Sequence, residues 1–493
     1  MDRVAVPVLS VVILLAGWIC TLQVFHQTFD HDEFQHSHMA WLIGQGEILY
    51  KDFFDHHGPL FSILNGFAIH TFSLDRAVST LFVLRLLSLF FSLGTAWVTY
   101  WVSLHLFGDR KKALCSVAFL VTAYFFVDKG SEIRPDTLQS LGWMLGLYFL
   151  LRAGAEPSGK NFFGAGLFFG LAILANVKVA LGVAVAIPFF CLFTQLGKER
   201  LTAVMLRMGI ILTGLLLPFI LITGYFVWHD ALYEFYYSNT VFNLELMRDE
   251  FSTQKRLGGI FRNSTLIKFG KENWSLAFFA LVGLLQLLDL RSRKSEDNEV
   301  GQETLFLVSV TLCTSALAFM PFYSQIYLIF LPLGALLAGY ALIRLTEQIP
   351  RVPRVGVFMT LVLVAFLPVL KSLLSAAPFT ETERLRAQID RSQYIVEETA
   401  YEEPVAHVWN GCGGYVFNKS PGYFWYLGPA WSGSYVSFKG YDNVGAQFVK
   451  ALEERDVRFI VASKGREFDG LTLEARTYIE ANYSYSDCLF TRH

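Results

Sequence analysis

Residues 5–25 read AVPVLSVVILLAGWICTLQVF, and residues 29–60, close behind them, read FDHDEFQHSHMAWLIGQGEILYKDFFDHHGPL. The first stretch is apolar over about 20 residues, the length needed to cross a bilayer. The second packs five histidines and six carboxylates into 32 residues. No small-x-small cleavage site clearly follows the apolar run, so it reads as an uncleaved first span rather than a signal peptide. The chain therefore begins with a helix that crosses a membrane and then places a dense set of ionisable groups at its surface.

The rest of the sequence agrees. Only 17% of the 493 residues are charged and 54% are hydrophobic, against about 25% charged in an ordinary soluble domain. The ~20-residue criterion gives about eleven spans, near 5–25, 80–107, 113–128, 136–152, 161–177, 179–196, 207–228, 274–290, 303–322, 326–345 and 355–372. The block 161–196 is interrupted by NVK, which reads as a tight hairpin. The expected fold is a polytopic α-helical membrane domain over residues 1–375, followed by a small α/β domain over 376–493. In that tail, VRFIVAS reads as a strand, while GAQFVKALEERD and LTLEARTYIEANY read as helices.

Sidedness follows from the short basic loops. GDRKK at 108–112, GKER at 197–200, RSRK at 291–294 and RVPR at 351–354 fall on alternate loops. The positive-inside rule makes these cytoplasmic. The N-terminus is then cytoplasmic, and the loops 26–79, 128–135, 229–273 and 323–325 face the other side, as does the tail. Two cysteines, Cys412 and Cys488, lie in that tail; an oxidising compartment would allow them to pair. The net charge of −2 is uninformative by itself, but the lack of a basic tract argues against nucleic acid as a partner.

The outward-facing polar residues are the candidate site. Asp32 and Glu33 open the first loop; MAWLIGQGEILY reads as a short interfacial helix ending near Gly44 or Gly46; Pro59 is placed to start the next helix. His36-x-His38 and the His56–His57 pair invite a metal. Neither has a standard metalloprotease spacing and no thiol is nearby, so no metal is assigned, although a divalent ion is compatible. In DKGSEIRPDTLQ, residues 128–139, Pro135 and Asp136 suit a helix N-terminus. Arg134 is a charge near membrane depth, where charges tend to be functional. Lys178 sits at an outer hairpin, where it either snorkels to the interface or meets a ligand. The loop 229–273 carries Lys255, Arg256, Arg262, Lys268 and Lys271 against the positive-inside trend; an anionic lipid headgroup would account for them.

Carboxylates opposite cations on one membrane face suit transfer from a lipid-linked phosphate. Cations stabilise the leaving phosphate, and a carboxylate on the far side takes the acceptor's proton. The first outer loop also resembles that of the protein O-mannosyltransferases, in which Asp-Glu is followed about twenty residues on by Phe-Phe-Asp-x-His-Pro-Pro-Leu. It resembles too the bacterial transferases that use polyprenyl-phosphate sugars, including the aminoarabinose transferases; all are GT-C membrane glycosyltransferases. SEIRPDTL (131–138), SQIYLIFLPLGALLAGY (324–340) and VWNGCGGYVFNKSPGYFWYLGP (408–429) look like later segments of the bacterial members.

The resemblance implies an inverting glycosyltransferase of a bacterial or archaeal cell membrane. Its donor would be a polyprenyl-phosphate hexose or pentose, its acceptor a glycan, lipid or protein on the extracytoplasmic face, and no cofactor would be required. It implies Asp32 as general base and Glu33 as its partner. His57 and Arg134 would lie at the donor phosphate, with Asp55, His56, Asp136 and Tyr327 in support; Lys178 and Arg262, read from their place on the outer face, are further candidates for that phosphate. Gly58 departs from the usual Pro. The alternative is a transporter or flippase of a lipid-linked substrate, which would place its ionisable residues near the midplane, often in paired repeats.

Overall fold

A computed structural model describes residues 2–191, 200–244, 270–292, 309–311, 324–349, 353–376, 382–408, 417–420, 422–423, 444–462 and 471–493. Arg262, Cys412 and most of the expected span 303–322 lie outside the described residues. Cys488 is disulfide-bonded.

The chain is mostly helical. The first helix, α1 (Asp2–His26), runs into α2 (His31–Gly44), α3 (Pro59–Thr71) and the long α4 (Val78–Phe107). Next come α5 (Arg110–Thr122), α6 (Tyr124–Lys129), α7 (Pro135–Ala155) and α8 (Gly159–Ala175). A 3-10 turn at Val177–Val179 leads into α9 (Ala180–Phe190), followed by α10 (Leu201–Trp228), α11 (Leu232–Tyr236), α12 (Trp274–Ser292), α13 (Leu331–Gln348) and α14 (Arg354–Ala376). Among the described residues, four helices are long and apolar enough to cross a membrane: Arg3–His26, Val78–Phe107, Leu201–Trp228 and Arg354–Lys371.

Two expected elements differ. The apolar run 113–128 is two helices, because Ala123 is extended (φ −62°, ψ 128°) between α5 and α6. The Asn273 side chain accepts the Tyr124 N–H at 2.8 Å, so the break leaves that donor paired. The 13 residues of α5 rise only about 20 Å, short of the ~30 Å hydrocarbon core. The other difference is α2, which begins at His31, eight residues before the helix expected from Met39. Asp30 caps it by accepting the Asp32 N–H, and the Glu33 carboxylate returns to the Asp30 N–H, a complete capping box.

Helices α8 and α10 pack through small residues. A Cβ on Gly166 would fall on the Ile211 carbonyl oxygen, and one on Gly214 on that of Phe163, so the backbones meet directly, as in membrane helix pairs. Trp97, Ile220 and Leu221 stay exposed on α4 and α10, consistent with apolar surfaces that meet lipid.

Beyond α14, α15 (Glu383–Glu398), α16 (Val444–Glu454) and α17 (Leu473–Asn482) surround a four-stranded sheet of order β1-β2-β4-β3. The strands are β1 (Val405–His407), β2 (Phe459–Val461), β3 (Tyr483–Ser486) and β4 (Leu489–Arg492). Strands β1 and β2 are parallel, with α16 between them in sequence; β4 is antiparallel to both β2 and β3. This unit docks on the end of the helical domain formed by α2, α3 and the start of α4. Phe29, Phe34, Trp41 and Phe61 share one apolar cluster with Leu385, Ile395, Phe417 and Phe459. Arg76, between α3 and α4, donates to the carbonyls of Thr399 and Phe417 at 3.0 Å each and to Asn418 Oδ1 at 2.7 Å.

Candidate active site

The capping box places Asp32 and Glu33 in the first turn of α2, where the positive end of the helix dipole favours carboxylates. Successive helical residues point about 100° apart, so the two point differently. Glu33 turns inward and is fully buried. Arg85 of α4 grips it with two bonds, Nε to Oε1 at 2.8 Å and Nη2 to Oε2 at 2.7 Å. Glu33 also accepts the backbone N–H of Asp30 at 2.9 Å and of Ile133 at 3.1 Å. Arg85 donates further to the carbonyls of Val24, Gln27 and Thr28 and lies 3.8 Å from the Phe29 ring centroid. This pair ties α1, α2, α4 and the 130–134 turn together. Sequence reasoning missed Arg85, although a lone arginine inside the apolar run VSTLFVLRLLSLFF was a usable signal.

Asp32 turns toward the surface, with its side chain 26% exposed. Arg134, the N-cap residue of α7, donates to Asp32 Oδ2 at 2.5 Å, to Asp30 Oδ1 at 2.8 Å and to Glu132 Oε2 at 2.5 Å. The other Asp32 oxygen lies 3.0 Å from His31 Nε2. Burial pushes the Asp32 carboxyl up, but the Arg134 guanidinium and the His31 contact outweigh it and hold the group well below the usual carboxylate range. For Glu132, burial wins over Arg134 and Lys129, and its carboxyl is raised. Lys129 bonds Glu132 at 2.6 Å and lies 3.5 Å from Asp128.

The second half of the first loop folds back onto the same helix. Asp55 is buried, and its Oδ1 accepts from His57 Nδ1 at 2.8 Å, the His56 N–H at 2.7 Å and Gln35 Nε2 at 3.4 Å. His36, one turn after Asp32 on α2, sets its ring edge-on to His57 with centroids 4.6 Å apart. Burial pushes His56 down to about 3 and His36 well below its ordinary value, so both are neutral at pH 7. The Tyr50 hydroxyl donates to the His57 carbonyl at 2.5 Å, and Asn243 Nδ2 donates to the His56 carbonyl at 2.9 Å. Gly58 explains its departure from proline by close approach: a Cβ there would fall on the Leu174 carbonyl oxygen at the end of α8.

Asp136, in the first turn of α7, accepts from Asn176 Nδ2 at 3.3 Å. Lys178 follows Asn176 and is half-buried, and its charge is felt at His56. Asp32, Glu33, Asp55, His56, His57, Arg134, Asp136 and Lys178 therefore fall in neighbouring parts of one region. Tyr327 stacks on Phe125, centroids 4.9 Å apart, in the apolar core of the bundle. The C-terminal unit does reach in, since Tyr423 donates to the Tyr50 carbonyl at 2.6 Å and Ser420 Oγ lies 3.1 Å from His38 Nε2.

Comparisons with known proteins find one family model over part of the chain and solved structures of similar fold. Residues 62–228 match the family model of dolichyl-phosphate-mannose-protein mannosyltransferase. The archaeal oligosaccharyltransferase AglB from Archaeoglobus fulgidus, solved with an inhibitory peptide and a dolichol-phosphate, superposes with a TM-score of 0.57 at 12% identity. That match covers 98% of this chain and 74% of the other. The apo form of the A. fulgidus oligosaccharyltransferase gives 0.58 at 13% identity, over 98% and 73%. The same enzyme tethered to an acceptor peptide containing the NVT sequon gives 0.55 at 13%, over 96% and 72%. No curated protein matches the sequence. The family match takes in Arg85, Arg134, Asp136 and Lys178 but begins after Asp32 and Asp55.

Proposed function

We propose that the protein is an integral-membrane inverting glycosyltransferase that moves a hexose or pentose from a polyprenyl-phosphate donor to an acceptor on the extracytoplasmic face. In this reading, residues 1–375 form the catalytic membrane domain of about eleven spans, and residues 376–493 form an extracytoplasmic α/β domain. The observation that carries it is Asp32: a carboxylate at the surface of the site, ionised, and joined to Arg134 at 2.5 Å.

In the transfer, the acceptor oxygen attacks the anomeric carbon, the bond to the donor phosphate oxygen breaks, and the acceptor proton passes to Asp32. The phosphate leaves with its electron pair toward Arg134, His57, Lys178 and Arg262. Arg134 links the two ends of this reaction. A base held far below the usual carboxylate range is a poor proton acceptor. A donor phosphate that draws Arg134 away from Asp32 raises the basicity of Asp32 when substrate is present. Glu33 supports the first turn of α2 through Arg85. Burial of the ionisable groups at helix ends, rather than in paired broken helices, favours this reading over a transporter.

The test is stereochemical. Purified protein, supplied with polyprenyl-phosphate sugars and candidate acceptors, is expected to give a product of inverted anomeric configuration by NMR. A retained configuration would remove Asp32 from the role of base toward the acceptor.

A further inference from the structure

We propose that a cavity at the C-terminal end of α1 binds one uncharged, polyhydroxylated ring, a pyranose sugar. The cavity holds about 200 Å³ between α1, α6 and α14. Gln23, Gln27 and Asp128 give it polar groups, and Tyr124, Val127 and Leu373 give it apolar surface. A few placed polar groups within an apolar wall is the usual make-up of a small-molecule site.

Unused hydrogen-bonding capacity points to the ligand. Gln23 is 8% exposed, and its side chain has no hydrogen-bond partner among the described residues. Gln27 Oε1 is likewise buried without a partner, while Gln27 Nε2 donates to Asp128 Oδ1 at 3.4 Å. Buried polar groups are almost always paired, and leaving them unpaired costs free energy. Each glutamine sets an acceptor oxygen beside a two-proton donor nitrogen, and the carboxylate adds acceptors only. Neighbouring hydroxyls, each both donor and acceptor, match that set; an acyl chain does not.

The charges around the cavity favour a neutral ligand. Asp128 lies 3.5 Å from Lys129, so a phosphate would meet the carboxylate and an ammonium would meet the lysine. None of the lining residues is among those placed at the donor phosphate. A chain of ion pairs nevertheless runs from Asp128 through Lys129, Glu132 and Arg134 to Asp32. On the reaction proposed above, the ring would belong to the acceptor, and that role rests on that reading. The binding of a sugar here does not depend on it.

The full chain would be placed in phosphatidylcholine nanodiscs, which bring no sugar of their own, and titrated without donor. Methyl α-glucopyranoside is the probe, followed by saturation-transfer NMR, with glycerol and inorganic phosphate as competitors. Saturable binding is expected for the wild type and for Asp32→Asn. Affinity should fall about tenfold in Gln23→Leu and in Asp128→Asn, a loss on the scale of one buried hydrogen bond. Because Asp32→Asn should stop the transfer yet keep the sugar, failure of the reaction and failure of this site are read separately. A wild type without saturable binding, Gln23→Leu and Asp128→Asn variants that bind as tightly as the wild type, or loss in Asp32→Asn would overturn the site. So would glycerol or phosphate that displaces the probe as well as methyl glucoside does. Adding glucosyl diacylglycerol to the discs separates the sources of the ring: displacement of the probe assigns it to a glycolipid, and no displacement to a soluble glycan. If a variant is not monodisperse, a photoreactive glucoside on the wild type decides. Crosslinks within residues 23–28 or 124–128 support the site, and crosslinks confined elsewhere refute it.

Discussion

Replacing Arg85 with methionine removes the cation from a fully buried pair while leaving Glu33 in place. Arg85 is 1% exposed and Glu33 0%. Removing one member of a buried ion pair costs about 3–5 kcal/mol, because the remaining charge is left without compensation. The Val24, Gln27 and Thr28 carbonyls lose their donor as well. Adding Glu33→Gln removes the stranded charge, but the Asp30 and Ile133 N–H groups still need an acceptor. The double variant should therefore recover part of the loss, with a coupling of roughly 1–3 kcal/mol. Denaturant unfolding in detergent, followed by tryptophan fluorescence, measures both. An Arg85→Met variant within about 1 kcal/mol of wild type, well below the expected cost of breaking a buried pair, would refute the role of this pair as the tie between α1, α2 and α4.

Arg134→Gln tests the electrostatics of the proposed base, Asp32. Its guanidinium depresses the Asp32 carboxyl, so removing it raises that group, and the acid limb of kcat/KM should move to higher pH; an unmoved limb would separate Arg134 from Asp32. In the wild type, Asp32 adds stability above its unfolded value near 3.8 that is lost only as pH falls through its lower folded value. Gly58→Ala forces a methyl against the Leu174 carbonyl and should cost about 1–3 kcal/mol while displacing His57; unchanged stability and turnover would show that the loop moves freely from α8. Arg76→Ala removes bonds that hold Thr399, Phe417 and Asn418. Limited proteolysis should then release the C-terminal unit faster, and an unchanged rate would assign its docking to the apolar cluster alone.

Much of this arrangement is written locally in the sequence. Pro59 and Pro135 start α3 and α7 as expected, α4 follows its apolar run, and VRFIVAS contains β2. The early start of α2 was also legible in principle, since Asp30 and Glu33 stand at capping-box spacing; the charge density of the segment masked it. What local pattern does not carry is partnership. Glu33 reads as a companion of Asp32, but its partner is Arg85, 52 positions away. Arg134 reads as a phosphate ligand, yet it is bonded to Asp30 and Asp32 more than 100 positions earlier. At the break after Ala123, Tyr124 bonds to Asn273, 149 positions along the chain. These contacts exist only once the helices have packed.

In the proposed reaction, Asp32 activates an acceptor against a polyprenyl-phosphate sugar. The most direct measurement is release of free polyprenyl phosphate from such donors by the purified wild type and by Asp32→Asn, with donor binding measured in parallel. Release by the wild type, loss of release in Asp32→Asn, and donor binding retained in both are expected. Equal release by the variant, or a wild type that binds none of these lipids, would contradict the proposed reaction.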